Sequence, residues 1–217
     1  MNLKHVFFFV VFTIANIMSF GQKIFQINNS SKIYNAKIQI GKCDDQICIG
    51  TIELFTKNNL RLLQEFESEN LNLRYYNNIT DKTNTLIFDD FNFDGAEDIA
   101  IVNGNGGYNS FSYDVYLFNK ATKHFVKSKK FTELASFQGM FTLDKKMKKI
   151  IAYSKSGCCF HVTTKYKVTP KNGLVKIFNT VEDATRGDDY MYVTEEKLLN
   201  NKWTKKTKKH KIQDYYK

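Results

Sequence analysis

The chain has 217 residues, a formal net charge of +10, 15% aromatic residues and a single proline. That length is enough for one domain with its own hydrophobic core. Beyond the N-terminus there is no apolar run near the roughly 20 residues needed to cross a bilayer, which excludes a helical membrane domain.

The N-terminal segment has the three parts of a secretory signal. Lys4 gives a positive start, residues 6–17 form an apolar run, and Ser19 and Gly21 place small residues before a cleavage site. The apolar run is too short to span a bilayer, which takes about 20 residues. We therefore predict a signal peptide over 1–21 and a periplasmic or secreted mature chain. An exported chain is not expected to meet nucleic acid.

Residues 22–200 are predicted to form a single all-β domain. Apolar and polar residues alternate in short segments such as 113–118, and turn signals recur about every ten residues, as in an antiparallel meander. The runs at 99–102 and 150–153 are apolar throughout and are typical of central strands. Residues 132–140 are the best candidate for a short helix.

A weak internal repeat indicates how the strands are grouped. One unit spans residues 86–130 and a second spans 140–177. Each reads as strand, turn, inner strand, long loop, outer strand, hairpin and last strand, which is typical of a propeller blade. We predict a small, irregular, propeller-like arrangement of short sheets, with a sandwich of two meanders as the alternative.

Four cysteines in an exported chain predict disulfide bonds. A bond between Cys158 and Cys159 would strain the peptide that joins them, and on a strand their side chains would point to opposite faces. We therefore expect Cys43 and Cys48 to close a short loop. The alternative is a bond from that loop to the 158–159 segment, and the paired spacing typical of zinc sites is missing.

An acidic loop over residues 90–98 lies between two predicted strands. Oxygen-bearing residues alternate along it, and Gly95 allows a sharp turn between them. Calcium takes six to eight oxygen ligands at about 2.3–2.6 Å, so the spacing predicts a site for one calcium ion (Ca2+). The predicted ligands are the side chains of Asp90, Asn92, Asp94 and Asp98 and the carbonyl oxygen of Ala96.

The surroundings of this loop distinguish it from a helix–loop–helix calcium site. Position 12 is Ile101, where such sites need a glutamate, and the flanking segments are predicted strands. The loop resembles that of FG-GAP and VCBS-type repeats, which have Asp-x-Asp/Asn-x-Asp-Gly-x-x-Asp between two strands of a propeller blade. The resemblance implies a structural calcium ion, with Phe91 and Phe93 anchoring the loop in the core. Calcium activates water poorly compared with zinc, so we predict no catalytic role.

A glycine-rich segment, residues 103–110, follows the inner strand of the first unit. A glycine loop that cradles phosphate is followed by a helix, whereas a strand is predicted here. We interpret the segment as a recognition loop, with a plain long hairpin as the alternative. Its candidate binding residues are Gly104, Gly106, Gly107 and Tyr108.

The second unit carries Ser-Gly-Cys-Cys-Phe-His, residues 156–161, at the equivalent point. A catalytic histidine needs a nucleophile and an orienting partner, and the sequence identifies neither for His161. No carboxylate pair suited to glycoside hydrolysis stands out either. We therefore predict a binding role and no enzymatic activity. The candidate binding residues are Ser156, Gly157, Phe160 and His161.

Taken together, the acidic loop, the glycine loop and the Ser-Gly-Cys-Cys-Phe-His segment resemble a small periplasmic family. That family includes type IV secretion immunity proteins, known from Xanthomonas, which inhibit lysozyme-like toxins and have a fold similar to invertebrate-type lysozyme inhibitors. The resemblance covers about residues 86–168. It implies that a loop enters the active-site cleft of the enzyme, with Ser-Gly-x-x-Tyr as the associated motif. Phe160 stands here in place of that tyrosine.

Three functions follow as expectations. The first is inhibition of a lysozyme-like peptidoglycan hydrolase, and the second is an envelope or adhesion domain that binds a cell-envelope glycan or a protein. A hydrolase with an unrecognised site is the third. Residues 201–217 are predicted to be a solvated basic tail, with weak adhesion to an acidic envelope as its alternative role. Six lysines crowd that tail: Lys202, Lys205, Lys206, Lys208, Lys209 and Lys211.

Overall fold

The computed structural model describes residues 23–28, 30–45, 47–72, 85–107, 110–169 and 173–215. The described residues form three antiparallel sheets, each built from strands that follow one another along the chain. None of the three closes into a barrel. The all-β, antiparallel meander predicted from the sequence is therefore confirmed. The predicted signal peptide, 1–21, lies outside the described residues.

Sheet 1 contains four strands in sequence order. Strict alternation in its second strand buries one face, including Ile38 and Ile40, and leaves the other half-exposed. The strands are β1 (Lys23–Ile27), β2 (Tyr34–Asp44), β3 (Ile47–Thr56) and β4 (Leu62–Asn72).

Sheet 2 coincides with the first unit of the internal repeat. It comprises β5 (Leu86–Asp89), β6 (Asp98–Asn105), β7 (Phe111–Asn119) and β8 (His124–Lys127), and the short helix α1 (Lys129–Leu134) follows it. The helix overlaps the predicted short helix but begins earlier and ends six residues sooner.

Sheet 3 has six strands in the order β14-β13-β12-β11-β10-β9. The second unit therefore does not form an equal four-stranded blade, because β13 and β14 extend its sheet. The elements are β9 (Thr142–Asp144), β10 (Lys149–Ser156), β11 (Phe160–Thr169), β12 (Gly173–Asp183), β13 (Tyr190–Leu199), β14 (Lys202–Lys211) and the helix α2 (Ile212–Tyr215).

Sheet 2 lies between the two hydrophobic clusters of the domain. In β6, Ile99 and Ile101 point into the cluster shared with sheet 1, while Ala100 and Val102 point into the cluster shared with α1 and the start of sheet 3. All four side chains are buried, which confirms a central strand that is apolar on both faces. In the run 150–153 only Ile150 is buried. The prediction of a strand that is buried on both faces is therefore confirmed for the first residue of this run and not for the other three.

The disulfides confirm one expectation and correct another. Cys43 is bonded to Cys48, as predicted. Cys158 is bonded to Cys159, so the expectation that these neighbours do not pair was wrong. Both lie in the turn between β10 and β11, where the alternation of a strand does not apply. The described residues contain no free cysteine.

The lysine-rich C-terminal stretch differs from the predicted tail. Residues 202–211 form β14, which pairs with β13 over its whole length. Its side chains are nearly all exposed, so the stretch is solvated but not frayed. No helix among the described residues is long and apolar enough to span a membrane.

Candidate functional site

The acidic loop between β5 and β6 is held by hydrogen bonds from its own backbone. The Asp90 carboxylate accepts from the N–H groups of Asp94 and Gly95 at 2.9 and 2.8 Å. The Asn92 side-chain oxygen accepts from the same Asp94 N–H at 2.9 Å, and Asp94 accepts from the Ala96 N–H at 2.8 Å. Gly95 has a φ of 84°, which confirms the need for glycine at the turn. The side chains of the first three predicted ligands therefore converge within the loop.

Asp98, the fourth predicted side-chain ligand, is fully buried. One of its carboxylate oxygens accepts from the N–H groups of Phe91 and Asn92, and the other accepts from the N–H of Phe118 at 2.8 Å. Burial raises the pKa of this carboxyl to about 7, although the three N–H donors act in the opposite direction. Asp98 thus ties the beginning of the loop to β7 from inside the core.

The two phenylalanines of the loop anchor it as expected. Phe91 is 2% exposed and lies edge-on to Phe141, with ring centroids 5.6 Å apart. Phe93 is partly buried against the same cluster. The loop is therefore a continuation of the core that lies between sheets 2 and 3.

The argument for a calcium ion in this loop depends on the oxygen atoms that the loop offers as ligands. Carboxylate, amide and carbonyl oxygens are the ligands that calcium prefers. The structure does not gather any three acidic, histidine or cysteine side chains of the described residues into a group that could hold a metal. The Lys120 ammonium group lies 3.3 Å from the Asp94 carboxylate and takes one of the positions at which a calcium ion would contact that carboxylate. Calcium binding here stays a prediction.

The glycine loop after β6 packs closely on the segment between α1 and β9. The Gly107 N–H donates to the Phe137 carbonyl oxygen at 2.5 Å, and the Gly106 N–H donates to that of Ser110 at 2.7 Å. A Cβ atom at Gly106 would lie 2.6 Å from the Phe137 carbonyl oxygen, so only glycine allows this approach. The fourth predicted residue of this loop, Tyr108, lies outside the described residues.

The same segment also holds the end of β10. The Gln138 side chain donates to the Lys155 carbonyl oxygen and accepts from the Lys155 N–H, both at 2.7 Å. Its neighbour Phe137 is 57% exposed. The two candidate binding loops, which are about 50 residues apart in sequence, are therefore joined through Phe137 and Gln138.

We call the joined set the recognition surface. Sequence reasoning missed Phe137 and Gln138 because it interpreted residues 132–140 as a helix, and the pairing of Gln138 with Lys155 leaves no local pattern in the sequence. The recognition surface consists of Gly104, Gly106, Gly107, Phe137, Gln138, Ser156, Gly157, the bonded Cys158 and Cys159, Phe160 and His161.

Within this surface, the turn between β10 and β11 is tight. Ser156 pairs with Phe160 across the hairpin, and Gly157 has a φ of 67° with no atom near the position of a Cβ. The Cys159 carbonyl oxygen accepts from the N–H of Ala184 at 2.8 Å, which attaches the turn to the residue that follows β12. The Ser-Gly-x-x-Phe segment is thus a fixed projection.

His161 has an orienting partner that the sequence did not identify. Its Nδ1 lies 3.4 Å from a carboxylate oxygen of Glu182, which is opposite it in the β11–β12 register. The Tyr215 hydroxyl donates to the other oxygen of Glu182, and the Tyr153 ring lies 6.0 Å from the imidazole. No hydroxyl or thiol of the described residues is hydrogen-bonded to His161 as a nucleophile.

A polar cleft of about 290 Å³ opens between β4 and the face of sheet 2. On one wall Asn103 donates to Asp114 at 2.7 Å, and Lys127 pairs with the same carboxylate at 2.6 Å. The other wall carries Glu67 and Glu69. The cleft is therefore acidic, and it ends where the glycine loop of the recognition surface begins.

Comparison with known proteins gives a match of fold. No family model and no curated protein matches the sequence. A solved structure described as that of a Xanthomonas Type IV Secretion System related protein is similar, with a TM-score of 0.64 and 22% identity. The match covers 84% of this chain and 93% of that chain. At this level of identity the similarity shows a shared fold.

Proposed function

We propose that this chain is an exported, calcium-stabilised binding protein that inhibits a lysozyme-like peptidoglycan hydrolase. The observation that carries the proposal is the recognition surface, in which two loops distant in sequence are held together around an exposed Phe137. The shared fold with a Type IV Secretion System related protein supports it. So does the Ser-Gly-x-x-Phe segment, which resembles the motif of lysozyme inhibitors.

The recognition surface has the properties of an inserting inhibitor. Its turn between β10 and β11 is narrow, and a disulfide between adjacent residues limits its flexibility. A preorganised projection loses little conformational entropy when it binds. Aromatic anchors at the centre of an interface contribute most of the binding energy, and Phe137 is the exposed aromatic side chain among the described residues of this surface.

Charge distribution removes an electrostatic objection to this function. Many lysozymes are basic, and a chain of net charge +10 would repel them. The cleft that reaches Asn103, next to Gly104 of the recognition surface, is lined by Glu67 and Glu69 of β4, and the charged residues of β4, Glu65, Glu67 and Glu69, are all acidic and exposed. A basic hydrolase would therefore meet a locally acidic region beside the inserting loops.

The inhibitory function is tested by mixing the mature chain with a panel of lysozyme-type hydrolases and measuring the turnover of peptidoglycan. We expect inhibition of at least one enzyme, and we expect Phe137→Ala to weaken it by roughly 30-fold, the effect of losing an anchor worth about 2 kcal/mol. Met147→Ala is the matched control, because Met147 is equally exposed at the opposite end of β10. Failure to inhibit any hydrolase of the panel would remove the proposal.

In this proposal calcium is held by the side chains of Asp90, Asn92 and Asp94 and the Ala96 carbonyl oxygen. Asp98, the other predicted ligand, is left out because its buried carboxylate already accepts from three N–H groups. The ion would supply positive charge to a loop that otherwise depends on backbone N–H groups and Lys120. The loop and the recognition surface lie at opposite ends of β6, about 25 Å apart for an eight-residue strand. Calcium would therefore stabilise sheet 2 rather than contact the target.

Thermal unfolding with and without a calcium chelator tests the calcium site. We expect chelation to lower the melting temperature of the natural chain and to leave the Asp94→Asn variant unchanged, because that variant has lost one ligand charge. Asp44→Asn, in sheet 1, is the control and should respond to the chelator as the natural chain does. An identical melting temperature of the natural chain in both conditions would contradict the proposal.

A glycan-binding envelope domain is the second candidate, and Tyr153 favours it. The ring is 51% exposed and lies beside His161, whose Nδ1 faces Glu182, so an apolar face adjoins hydrogen-bonding groups, as sugar rings require. Sedimentation with isolated cell wall tests this function. Binding that is lost in Tyr153→Ala and retained in Phe137→Ala would favour the glycan over the hydrolase.

A further inference from the structure

The positive charge of the chain is concentrated in sheet 3. Residues 142–211 contain seventeen lysine and arginine residues and seven acidic residues, so this stretch carries the full net charge of +10. The β13–β14 hairpin, residues 190–211, contributes half of it with seven lysines and two glutamates. Sheet 3 therefore ends in a strongly basic pair of strands.

The outermost strand of sheet 3, β14, has an outer backbone edge that the described strands leave unpaired. It is the last strand of its sheet, and no other strand of the described residues pairs with its outer side. The Ile212 N–H donates to the Asp189 carbonyl oxygen at 3.0 Å. In an antiparallel pair, hydrogen-bonded residues alternate with residues whose N–H and C=O groups point outward. With the observed register, the outward-pointing residues are Trp203, Lys205, Thr207, Lys209 and Lys211.

The lysines of β14 lie on both faces of the sheet, because side chains alternate along a strand. Two are paired: Lys205 lies 3.5 Å from Glu196, and Lys209 lies 3.9 Å from Asp188. The other four form no ion pair with a described acidic residue, although the positive charges of Lys206 and Lys208 stabilise the Glu195 carboxylate at longer range. One face carries Lys202, Lys206 and Lys208, and the other carries Lys205, Lys209 and Lys211.

We propose that β14 binds an acidic, extended segment of a partner protein by strand addition. Such a segment would pair with the free N–H and C=O groups of β14 and would place alternate carboxylates over the lysines of each face. Lysines on an edge strand disfavour pairing with neutral or basic strands. The same lysines therefore make the edge selective for an acidic one.

The geometry favours a peptide over other anionic partners. An anionic membrane is a plane and faces lysines without using the outward-pointing backbone groups. A flexible polyanion neutralises charge but cannot continue the hydrogen-bond pattern of a strand. Only an extended polypeptide provides both the alternating charges and the backbone donors and acceptors.

The test measures binding, to the mature chain, of a labelled ten-residue peptide in which pairs of glutamates alternate with pairs of threonines, because β14 has ten residues. In an extended peptide this pattern places glutamates on both faces. A peptide of equal charge with two prolines in place of threonines is the comparison, since proline removes donors and disrupts the strand. We expect the alternating peptide to bind and the proline peptide to bind at least ~10-fold more weakly, about 1.4 kcal/mol. Raising the salt concentration should weaken the binding.

Charge reversals on each face locate the site. We expect Lys206→Glu with Lys208→Glu, and separately Lys205→Glu with Lys209→Glu, to reduce the peptide affinity at least ~10-fold. The control, Lys130→Glu with Lys146→Glu, changes the net charge equally at exposed positions away from β14 and should alter the affinity by less than about twofold. Circular dichroism verifies that each variant is folded.

Three outcomes would overturn the proposal. These are the absence of peptide binding at low salt, equal affinity for the proline peptide, and tighter binding to anionic vesicles or to polyphosphate than to the alternating peptide. Strands β12 and β13 separate β14 from strand β11 of the recognition surface. Hydrolase inhibition should therefore be unaffected by the β14 variants, so the two proposals fail separately.

Discussion

The acidic loop and strand β14 are two dense clusters of like charge in the sequence, and the fold uses them in opposite ways. In residues 90–98 the carboxylates turn toward backbone N–H groups, and Asp98 is fully buried. In β14 the lysines point to solvent on both faces, and four of the six form no ion pair with a described residue. The carboxylates of one cluster are hydrogen-bonded by the chain's own N–H groups, and the lysines of the other are exposed to a partner.

The difference follows from the side chains between the charges. Phe91 and Phe93 separate the acidic residues of the loop and pack into the core. The carboxylates beside them lose part of their contact with water and need hydrogen-bond donors close by. Strand β14 consists of six lysines, two threonines, a histidine and one tryptophan, so too few apolar side chains are present to draw the strand into a core. Long lysine side chains keep their ammonium groups hydrated at little cost. A cluster of like charge therefore indicates a binding surface only where its charged groups remain exposed to solvent.

The largest effect on stability is expected where the loop enters the core. Phe91→Ala removes a ring that is 2% exposed and packed against Phe141, so it should lower the free energy of unfolding by about 3–5 kcal/mol. Chemical denaturation of the mature chain measures it. Phe137→Ala, at an exposed position, should change the free energy of unfolding by less than about 0.5 kcal/mol. Similar costs at both positions would mean that the loop is not anchored in the core.

Part of this comparison could be predicted from the sequence. Alternation in β2 and the apolar run in β6 identified the strands, and the short spacing of Cys43 and Cys48 identified their bond. The repeat unit at 86–130 matched sheet 2. Local patterns of this kind can be recognised in the sequence because each follows from the burial of residues that are close together in the chain.

Features that depend on distant pairing could not be predicted. The contact of Gln138 with Lys155 and that of His161 with Glu182 arise from the path of the chain between strands. The lysine-rich stretch lacks apolar alternation, and it forms a strand because β13 supplies hydrogen bonds along its whole length. The bond between Cys158 and Cys159 depends on a turn whose position the pattern did not fix.

An intermediate effect is expected at Asp98, which links the loop to β7. Asp98→Asn replaces an acceptor of the Phe118 N–H with a donor, so it should cost about 1–3 kcal/mol. In the natural chain the folded-state pKa of about 7 lies above the unfolded value. The folded chain then retains a proton that the unfolded chain releases, and the free energy of unfolding should fall as pH rises from about 4 to about 7.

This pH dependence distinguishes the contribution of the Asp98 charge to stability from the contribution of its hydrogen bonds. Measured in chelator, the difference in free energy of unfolding between the natural chain and Asp98→Asn should shrink as pH rises toward 7, because only the natural chain loses stability there. Glu97→Gln, at an adjacent and partly exposed position, is measured in parallel as the control variant. A constant difference from pH 4 to 8 would show that burial does not perturb this carboxyl.

The smallest effect on stability is expected in β14. Lys206→Glu with Lys208→Glu should change the free energy of unfolding by no more than about 0.5 kcal/mol, because both side chains are exposed and surface charges contribute little. High salt should reduce even this change. Denaturation at low and high salt measures it, with Lys130→Glu and Lys146→Glu as the matched pair. A loss comparable to that of Asp98→Asn would mean that these lysines stabilise the sheet, and that they are not free for a partner.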